Sequence, residues 1–283
     1  MLISFLFLCQ LVLAEKKTLT IALVASPKPS FSLVKSAEYL KNALHHLPND
    51  LIIDEIMFIH GCVTNICYFP IFYDVVRDFK QTFPDIPITT PTFQHNQTDF
   101  VEVNDKFYDL FSSVWDRSSG KQHKWTVGTF LKHMRINFFF INAVKYVYYE
   151  KKSDYILFAE DDQSYTIDTF QKVVDLMNMK NPNRLYSKIS WCKEKWCEFK
   201  EKEKFTVNCA DTFVLGAWGT LRSRSEMKTF LTHMKFSRLF ESEDTLSSDL
   251  CKALDLQVEV NHCSIHFGWG LKPDKEGKLI KQY

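Results

Sequence analysis

The sequence has little glycine or proline and almost no excess of charge. Among 283 residues there are only 8 Gly and 9 Pro, which excludes collagen-like and glycine-rich low-complexity proteins. Lys and Arg total 35 and Asp and Glu total 34, so the formal net charge is +1. This balance argues against a polycationic nucleic-acid-binding protein and against an acidic solvating tail. Hydrophobic residues make up 46% of the chain, including 25 Phe, which indicates a globular protein with a sizeable core.

Several familiar signatures of enzymes are also missing. The sequence contains no GxGxxG, GxxxxGK[ST], HExxH or GxSxG pattern. Dinucleotide-binding, P-loop, zinc-protease and nucleophile-elbow interpretations therefore have no motif to support them.

No apolar run is long enough for an ordinary transmembrane helix. Residues 2–13 are apolar apart from Ser4, Cys9 and Gln10, and the run ends at Ala14 before charged residues begin. A bilayer-spanning helix needs about 20 apolar residues, so we expect residues 1–14 to be a cleaved signal peptide, with a short uncleaved anchor as the alternative. Residues 15–283 are then expected to form a single domain in the ER or Golgi lumen or outside the cell.

The cysteines agree with an oxidising compartment. Seven of the 8 Cys follow the expected signal peptide. Four residues separate Cys62 from Cys67 and Cys192 from Cys197, so each of these pairs could close a small loop. We favour disulfides over a zinc site because no CxxC or suitably spaced His pair accompanies them. The odd number leaves one thiol free or paired between chains. A glycosylation sequon at Asn96 fits a luminal protein. The seven cysteines are Cys62, Cys67, Cys192, Cys197, Cys209, Cys251 and Cys263.

Hydrophobic patterns alternate between strand and helix. This alternation predicts an α/β domain with a mostly parallel sheet. Strands are expected at residues 18–25, 51–59, 100–103, 155–159, 213–217 and 257–263. Helices are expected from after Pro29 to about 47, and at 69–83, 125–150, 166–179 and 225–235, with a charged loop at 193–204.

The strand expected at 155–159 leads into three consecutive acids, Glu160, Asp161 and Asp162. Ligands of open α/β sheets bind beyond the carboxyl ends of the strands. Neighbouring carboxylates repel one another unless a cation or solvent offsets their charge, and hard oxygen ligands suit Mn²⁺ or Mg²⁺. The segment therefore predicts a cation site that could neutralise a diphosphate. The alternative is an acidic turn with no ligand.

Four segments carry a resemblance to a known family. They are Arg135-Ile136-Asn137, the strand YILFAEDD at 155–162, LGAWG at 215–219, and IHFG at 265–268 followed by GKL at 277–279. Together they resemble GT-A nucleotide-sugar glycosyltransferases and, more narrowly, the N-acetylglucosaminyltransferase IV family. The resemblance implies a GT-A type α/β fold, with helices flanking a mostly parallel central sheet.

The resemblance also implies roles for individual residues. Asp162 would bind Mn²⁺ (or Mg²⁺) on the diphosphate of a UDP-sugar, with Glu160 and Asp161 making further metal or ribose contacts. Gly216 and Gly219 would lie at the donor site. His266 is the candidate second metal ligand, although a histidine there could instead be a core or supporting residue.

The implied reaction is transfer of GlcNAc from UDP-GlcNAc to a glycan, most simply a mannose of an N-glycan, with inversion. An inverting transferase needs a carboxylate to remove the acceptor proton, and Asp249 fits this role best, with Asp244 as its rival. Alternatively, Asp244 caps a helix and Asp249 is a surface acid.

The sequence departs from the family at three places. The stretch around Cys192 and Cys197 lengthens the distance from Asp162 to Gly216, Gly270 replaces a second His, and an Asp-Trp pair typical of the family is absent. The missing Asp-Trp pair alters the region of the expected base and supports an alternative in which the protein is an inactive, secreted glycan-binding relative.

Overall fold

The computed structural model describes residues 16–25, 31–61, 69–93, 113–116, 121–124, 127–151, 153–189, 204–209, 219–233, 247, 250–261, 264–266, 271–273 and 279–281. The expected strands at 100–103 and 213–217, and the charged loop apart from residue 204, lie outside this part of the chain.

An eight-stranded sheet forms the centre of the described structure, with strand order β3-β2-β1-β6-β10-β8-β11-β9. Four neighbouring pairs are parallel, whereas β10 is antiparallel to β6 and β8, and β9 is antiparallel to β11. Six of the eight strands therefore point the same way, and the predicted α/β class with a mostly parallel sheet is confirmed. The strands are β1 (Lys17–Ala25), β2 (Leu51–His60), β3 (Ile88–Thr89), β6 (Tyr155–Glu160), β8 (Arg184–Lys188), β9 (Lys204–Asn208), β10 (Thr220–Ser223) and β11 (Gln257–Asn261).

Three short strand pairs accompany this sheet, and each is antiparallel. They are β4 (Ser113–Asp116) with β5 (Lys121–Lys124), β7 (Gln163–Tyr165) with β12 (Ser264–His266), and β13 (Leu271–Pro273) with β14 (Leu279–Lys281).

Helices cover both faces of the sheet. They are α1 (Phe31–Leu44), α2 (Pro70–Thr82), α3 (Val127–Tyr146), α4 (Thr169–Asn178) and α5 (Arg224–His233), and a π-helical turn (Val147–Lys151) continues α3. None of the described helices is both long and apolar enough to cross a bilayer. The helices predicted from the sequence are confirmed, although α1 ends at Leu44 rather than near 47.

The buried strand β1 shows why the sequence folds this way. Its alternate residues Leu19, Ile21 and Leu23 pack in one hydrophobic cluster with α1, α2 and α4. Ala22 and Val24 belong to a second cluster with α3 and α5. A parallel strand that is covered on both faces has a nearly continuous run of hydrophobic residues in its sequence. Residues 18–25, TLTIALVA, have this pattern.

A buried ion pair ties the end of β10 and the start of α5 to β8. Glu226 accepts a hydrogen bond from the backbone N–H of Ser223 at 2.6 Å, and the Ser223 hydroxyl accepts one from the N–H of Glu226 at 3.3 Å. This reciprocal arrangement is a capping box. The other carboxylate oxygen of Glu226 pairs with the guanidinium of Arg184, and both side chains are 6% exposed.

Candidate functional site

The three acids lie at the carboxyl end of a central strand. Glu160 is the last residue of β6 and pairs in register with Val24 of the parallel strand β1. Asp161 and Asp162 form the turn that leads into β7, and their exposures are only 1% and 4%. The chain therefore places two neighbouring, buried carboxylates at the sheet edge where ligands of α/β proteins bind.

A buried glutamine holds this turn in place. The Gln163 side-chain oxygen accepts hydrogen bonds from the Glu160 N–H at 2.9 Å and from the Tyr165 hydroxyl at 3.1 Å. The Ser36 hydroxyl on α1 donates to the Glu160 carbonyl at 3.3 Å. These contacts fix the backbone on both sides of Asp161 and Asp162. Sequence reasoning missed Gln163, because a single polar residue after three acids carries no signal of its own.

The short ladder of β7 with β12 brings a distant segment to the acidic turn. In this antiparallel pairing His266 lies opposite Gln163, the residue that follows Asp162. The backbone of the candidate metal ligand His266 is therefore adjacent to the candidate metal ligand Asp162. The His266 side chain lies outside the described part of the structure.

Gly219 adjoins the same strand end. Its N–H donates to the Phe158 carbonyl at 2.9 Å and its carbonyl accepts from the Ile189 N–H at 2.9 Å. Its φ is 64°, in the left-handed region that glycine occupies without penalty. The glycine thus lets the chain enter β10 beside β6. The other predicted glycine, Gly216, lies outside the described residues.

The two candidate bases, Asp244 and Asp249, also lie outside the described residues, but neighbours of Asp249 do not. Ser247 and residues 250–253 are helical, and Cys251 forms a disulfide with Cys209, the residue that follows β9. The spacing of the cysteines had not predicted this pairing. The pairs Cys62/Cys67 and Cys192/Cys197 remain predictions, as does the state of Cys263.

His60 lies at the same edge of the sheet, two strands from β6. It ends β2 and pairs in register with Ala25 of β1. Its ring centroid is 4.8 Å from that of Phe72 and 5.9 Å from that of Tyr73. Burial lowers the pKa of His60 below its ordinary value of 6.5, so the neutral imidazole is favoured. The sequence alone gave no reason to single out this histidine.

The carboxylate oxygens of Asp161 and Asp162 are suitable ligands for a hard divalent cation such as Mn²⁺ or Mg²⁺. Among the described side chains, however, no three His, Cys, Asp or Glu residues are grouped so that they could hold a metal ion. Glu160, Asp161 and Asp162 therefore do not converge as one ligand set. A cation at Asp161 and Asp162 would need a further ligand. His266 is the candidate, because its backbone pairs with Gln163, the residue after Asp162.

No protein-family model and no curated protein matches the chain. The solved structures that resemble it include residues 1–349 of TarS from S. aureus, at 13% identity over 86% of this chain and 58% of that chain, with a TM-score of 0.45. The same protein in complex with UDP-GlcNAc aligns at 10% identity over 87% of this chain and 56% of that chain, with a TM-score of 0.44.

A third structure is the bifunctional glycosyltransferase WbbM, at 10% identity over 87% of this chain and 39% of that chain, with a TM-score of 0.45. The chain thus spans less than two thirds of each of these three structures. Likeness at such low identities and TM-scores establishes neither a family nor an activity.

Proposed function

We propose that the protein is a glycosyltransferase that takes a UDP-sugar donor and a divalent cation, Mn²⁺ or Mg²⁺, at the Asp161-Asp162 turn. The observation that carries this proposal is the ladder of β7 with β12. It brings His266 opposite Gln163 at the end of the acidic strand. Two segments that are distant in the sequence, and that the resemblance assigns to one metal site, are thereby neighbours in the fold.

In this proposal Asp162 and His266 hold the cation, and Asp161 and Glu160 lie close enough in the chain to contact the ribose or cation-bound water. The cation would act as a Lewis acid toward the diphosphate. Because Asp161 and Asp162 are almost fully buried, their charge is screened little by water. This strengthens their attraction for a cation.

The acceptor hydroxyl would attack the anomeric carbon from the face opposite the UDP group. Its oxygen forms the new bond to carbon, the bond from that carbon to the diphosphate oxygen breaks, and the hydroxyl proton passes to a carboxylate. Asp249 is the proposed base and Asp244 its rival. UDP leaves with the bonding electrons, and the configuration at the sugar carbon inverts.

The finer assignment is GlcNAc transfer from UDP-GlcNAc to a mannose of an N-glycan in the secretory pathway. It is supported by the sequence resemblance at 155–162, 215–219 and 265–268. The Cys209–Cys251 disulfide supports an oxidising compartment, because disulfides persist there and are rare in the cytosol. A signal peptide at 1–14 and a single domain over 15–283 belong to the same proposal.

A catalytically inactive glycan-binding protein is the second candidate. The absent Asp-Trp pair near Asp249 and the Gly270 in place of a second His favour it. Such a protein would retain glycan binding without turnover.

The proposal is tested by the release of UDP from UDP-GlcNAc, with N-glycan acceptors and Mn²⁺ or a chelator present. We expect release that requires the cation and falls by about 100-fold or more in Asp162→Asn, because a lost metal ligand removes Lewis-acid stabilisation. Asp168→Asn is the matched control, since Asp168 lies at the start of α4, is half-exposed and forms an ion pair with Lys172. Turnover that is unaffected by chelator and by Asp162→Asn would overturn the proposal.

A further inference from the structure

Arg222 is a buried cation in the core beside the acidic strand. It lies on β10 in register with Ile156 of β6 and is fully buried. Its guanidinium carbon is 4.5 Å from the Phe230 ring centroid, 4.7 Å from that of Tyr186 and 5.5 Å from that of Phe140. Contacts of this kind with aromatic faces stabilise a desolvated guanidinium, and they fix the plane and position of its donors.

One of those donors reaches the segment that carries Asp249. The guanidinium of Arg222 donates to the Ser247 hydroxyl at 3.0 Å and to the Leu185 carbonyl at 3.2 Å. Ser247 is 3% exposed, so this hydrogen bond is shielded from competing water and is made by a charged donor. It fixes Ser247, which precedes the described helical residues 250–253 in the chain.

The carboxyl-terminal side of the same segment is fixed by different contacts. Cys251 is disulfide-bonded to Cys209, and the Cys251 carbonyl accepts from the Leu256 N–H at 2.9 Å. Asp255 has a φ of 52°, as expected at a helix end of the Schellman type. Asp249 lies between these two anchors in the sequence, two residues after Ser247 and two before Cys251.

We propose that Arg222, through Ser247, is a positioning residue for Asp249, and that the Cys209–Cys251 disulfide is the second support of the same segment. This inference rests on the proposed function, in which Asp249 removes the acceptor proton. A base must be within hydrogen-bond reach of its proton. Arg222 therefore influences the rate of transfer without touching donor or acceptor.

Ser247→Ala is the decisive variant, since it removes the acceptor of the hydrogen bond and leaves the buried Arg222 in place. We expect kcat for transfer to fall about 10-fold or more, because small displacements of a catalytic group are costly. UDP affinity with Mn²⁺ should remain within about 2-fold of wild type, since the cation site is formed by other residues. Ser153→Ala is the matched control. Ser153 is also buried and bonded to side chains, those of Thr20 and Asp54, and we expect its kcat to be unchanged.

A double-mutant cycle with Asp249→Asn separates positioning from simple loss of stability. If Ser247 acts through Asp249, adding Ser247→Ala to Asp249→Asn lowers kcat no further, because the effects of coupled residues are not additive. Arg222→Lys is the second variant, and we expect it to lower kcat in the same way if it folds. Circular dichroism and thermal unfolding report whether each variant is folded.

If wild type is active, three results would overturn this inference. They are an unchanged kcat in Ser247→Ala, an unchanged kcat in Asp249→Asn, and effects that multiply in the double variant. Failure of the proposed function itself is distinguishable, since wild type would then show no turnover at all.

Discussion

The buried ion pair between Arg184 and Glu226 allows a specific prediction about stability. Glu226→Ala removes the carboxylate that faces the Arg184 guanidinium, where both side chains are 6% exposed. Breaking a buried pair by removing one partner costs about 3–5 kcal/mol, because the remaining charge is buried without compensation. The variant also loses the capping box with Ser223, at about 1 kcal/mol. We expect a total destabilisation of about 4–6 kcal/mol.

The assay is urea-induced unfolding under non-reducing conditions, followed by tryptophan fluorescence. The matched control is Asp74→Ala, which breaks an ion pair with Arg77 whose side chains are 60% and 67% exposed. Exposed pairs contribute about 0–1 kcal/mol, so this control should unfold almost like wild type. The double variant Arg184→Met/Glu226→Leu should recover most of the loss, since it removes both charges together. A loss below about 1 kcal/mol in Glu226→Ala would refute the reasoning, as that is the range of an exposed pair.

Three further predictions concern His60, the disulfide and Gly219. Burial lowers the pKa of His60 in the folded state, so its contribution to stability is complete above about pH 6.5, the unfolded value. It decreases as the pH falls below that value, because the unfolded chain then binds more protons. Unfolding free energies measured from pH 8 to 5 should show this slope in wild type and a smaller one in His60→Leu. Replacing Cys209 and Cys251 by Ser should lower stability by about 4 kcal/mol on the chain-entropy relation for a sequence separation of 42, and an unchanged denaturation midpoint would contradict it. Gly219→Ala should cost about 1 kcal/mol or more because its φ of 64° lies in the left-handed region, where a Cβ is unfavourable, and equal thermal midpoints for the two proteins would argue otherwise.

Strands with strong local patterns could be predicted from the sequence. The runs that form β1, β2 and β6 are largely buried, and their high content of hydrophobic residues carries that information. The strands β8 and β10 were missed. RLYSK in β8 contains Arg184 and Lys188, which a local pattern assigns to solvent, yet both are buried. Their burial depends on partners that are distant in the sequence, among them Glu226 for Arg184.

The residues of the candidate site also divide into those that a local sequence pattern predicts and those whose position depends on distant partners. Glu160, Asp161 and Asp162 were predicted correctly at a strand end, since three acids after a hydrophobic run are visible locally. The adjacency of His266 to this turn depends on the pairing of β7 with β12, which no local pattern specifies. Gln163 and Arg222 were missed because their importance comes from burial and from the groups they contact. The roles of all the candidate site residues remain predictions: Glu160, Asp161, Asp162, Gly216, Gly219, Asp244, Asp249 and His266.

The central claim is that Asp162 belongs to a cation site for a UDP-sugar. The most direct measurement is calorimetric titration of the purified protein with UDP, with and without Mn²⁺, in wild type, Asp162→Asn and the control Asp168→Asn. We predict Mn²⁺-dependent binding in wild type and in Asp168→Asn, with affinity reduced by about 10–100-fold or more in Asp162→Asn, as expected for loss of a metal-site partner. Equal UDP affinity in Asp162→Asn and wild type, or no Mn²⁺-dependent binding in wild type, would contradict the account.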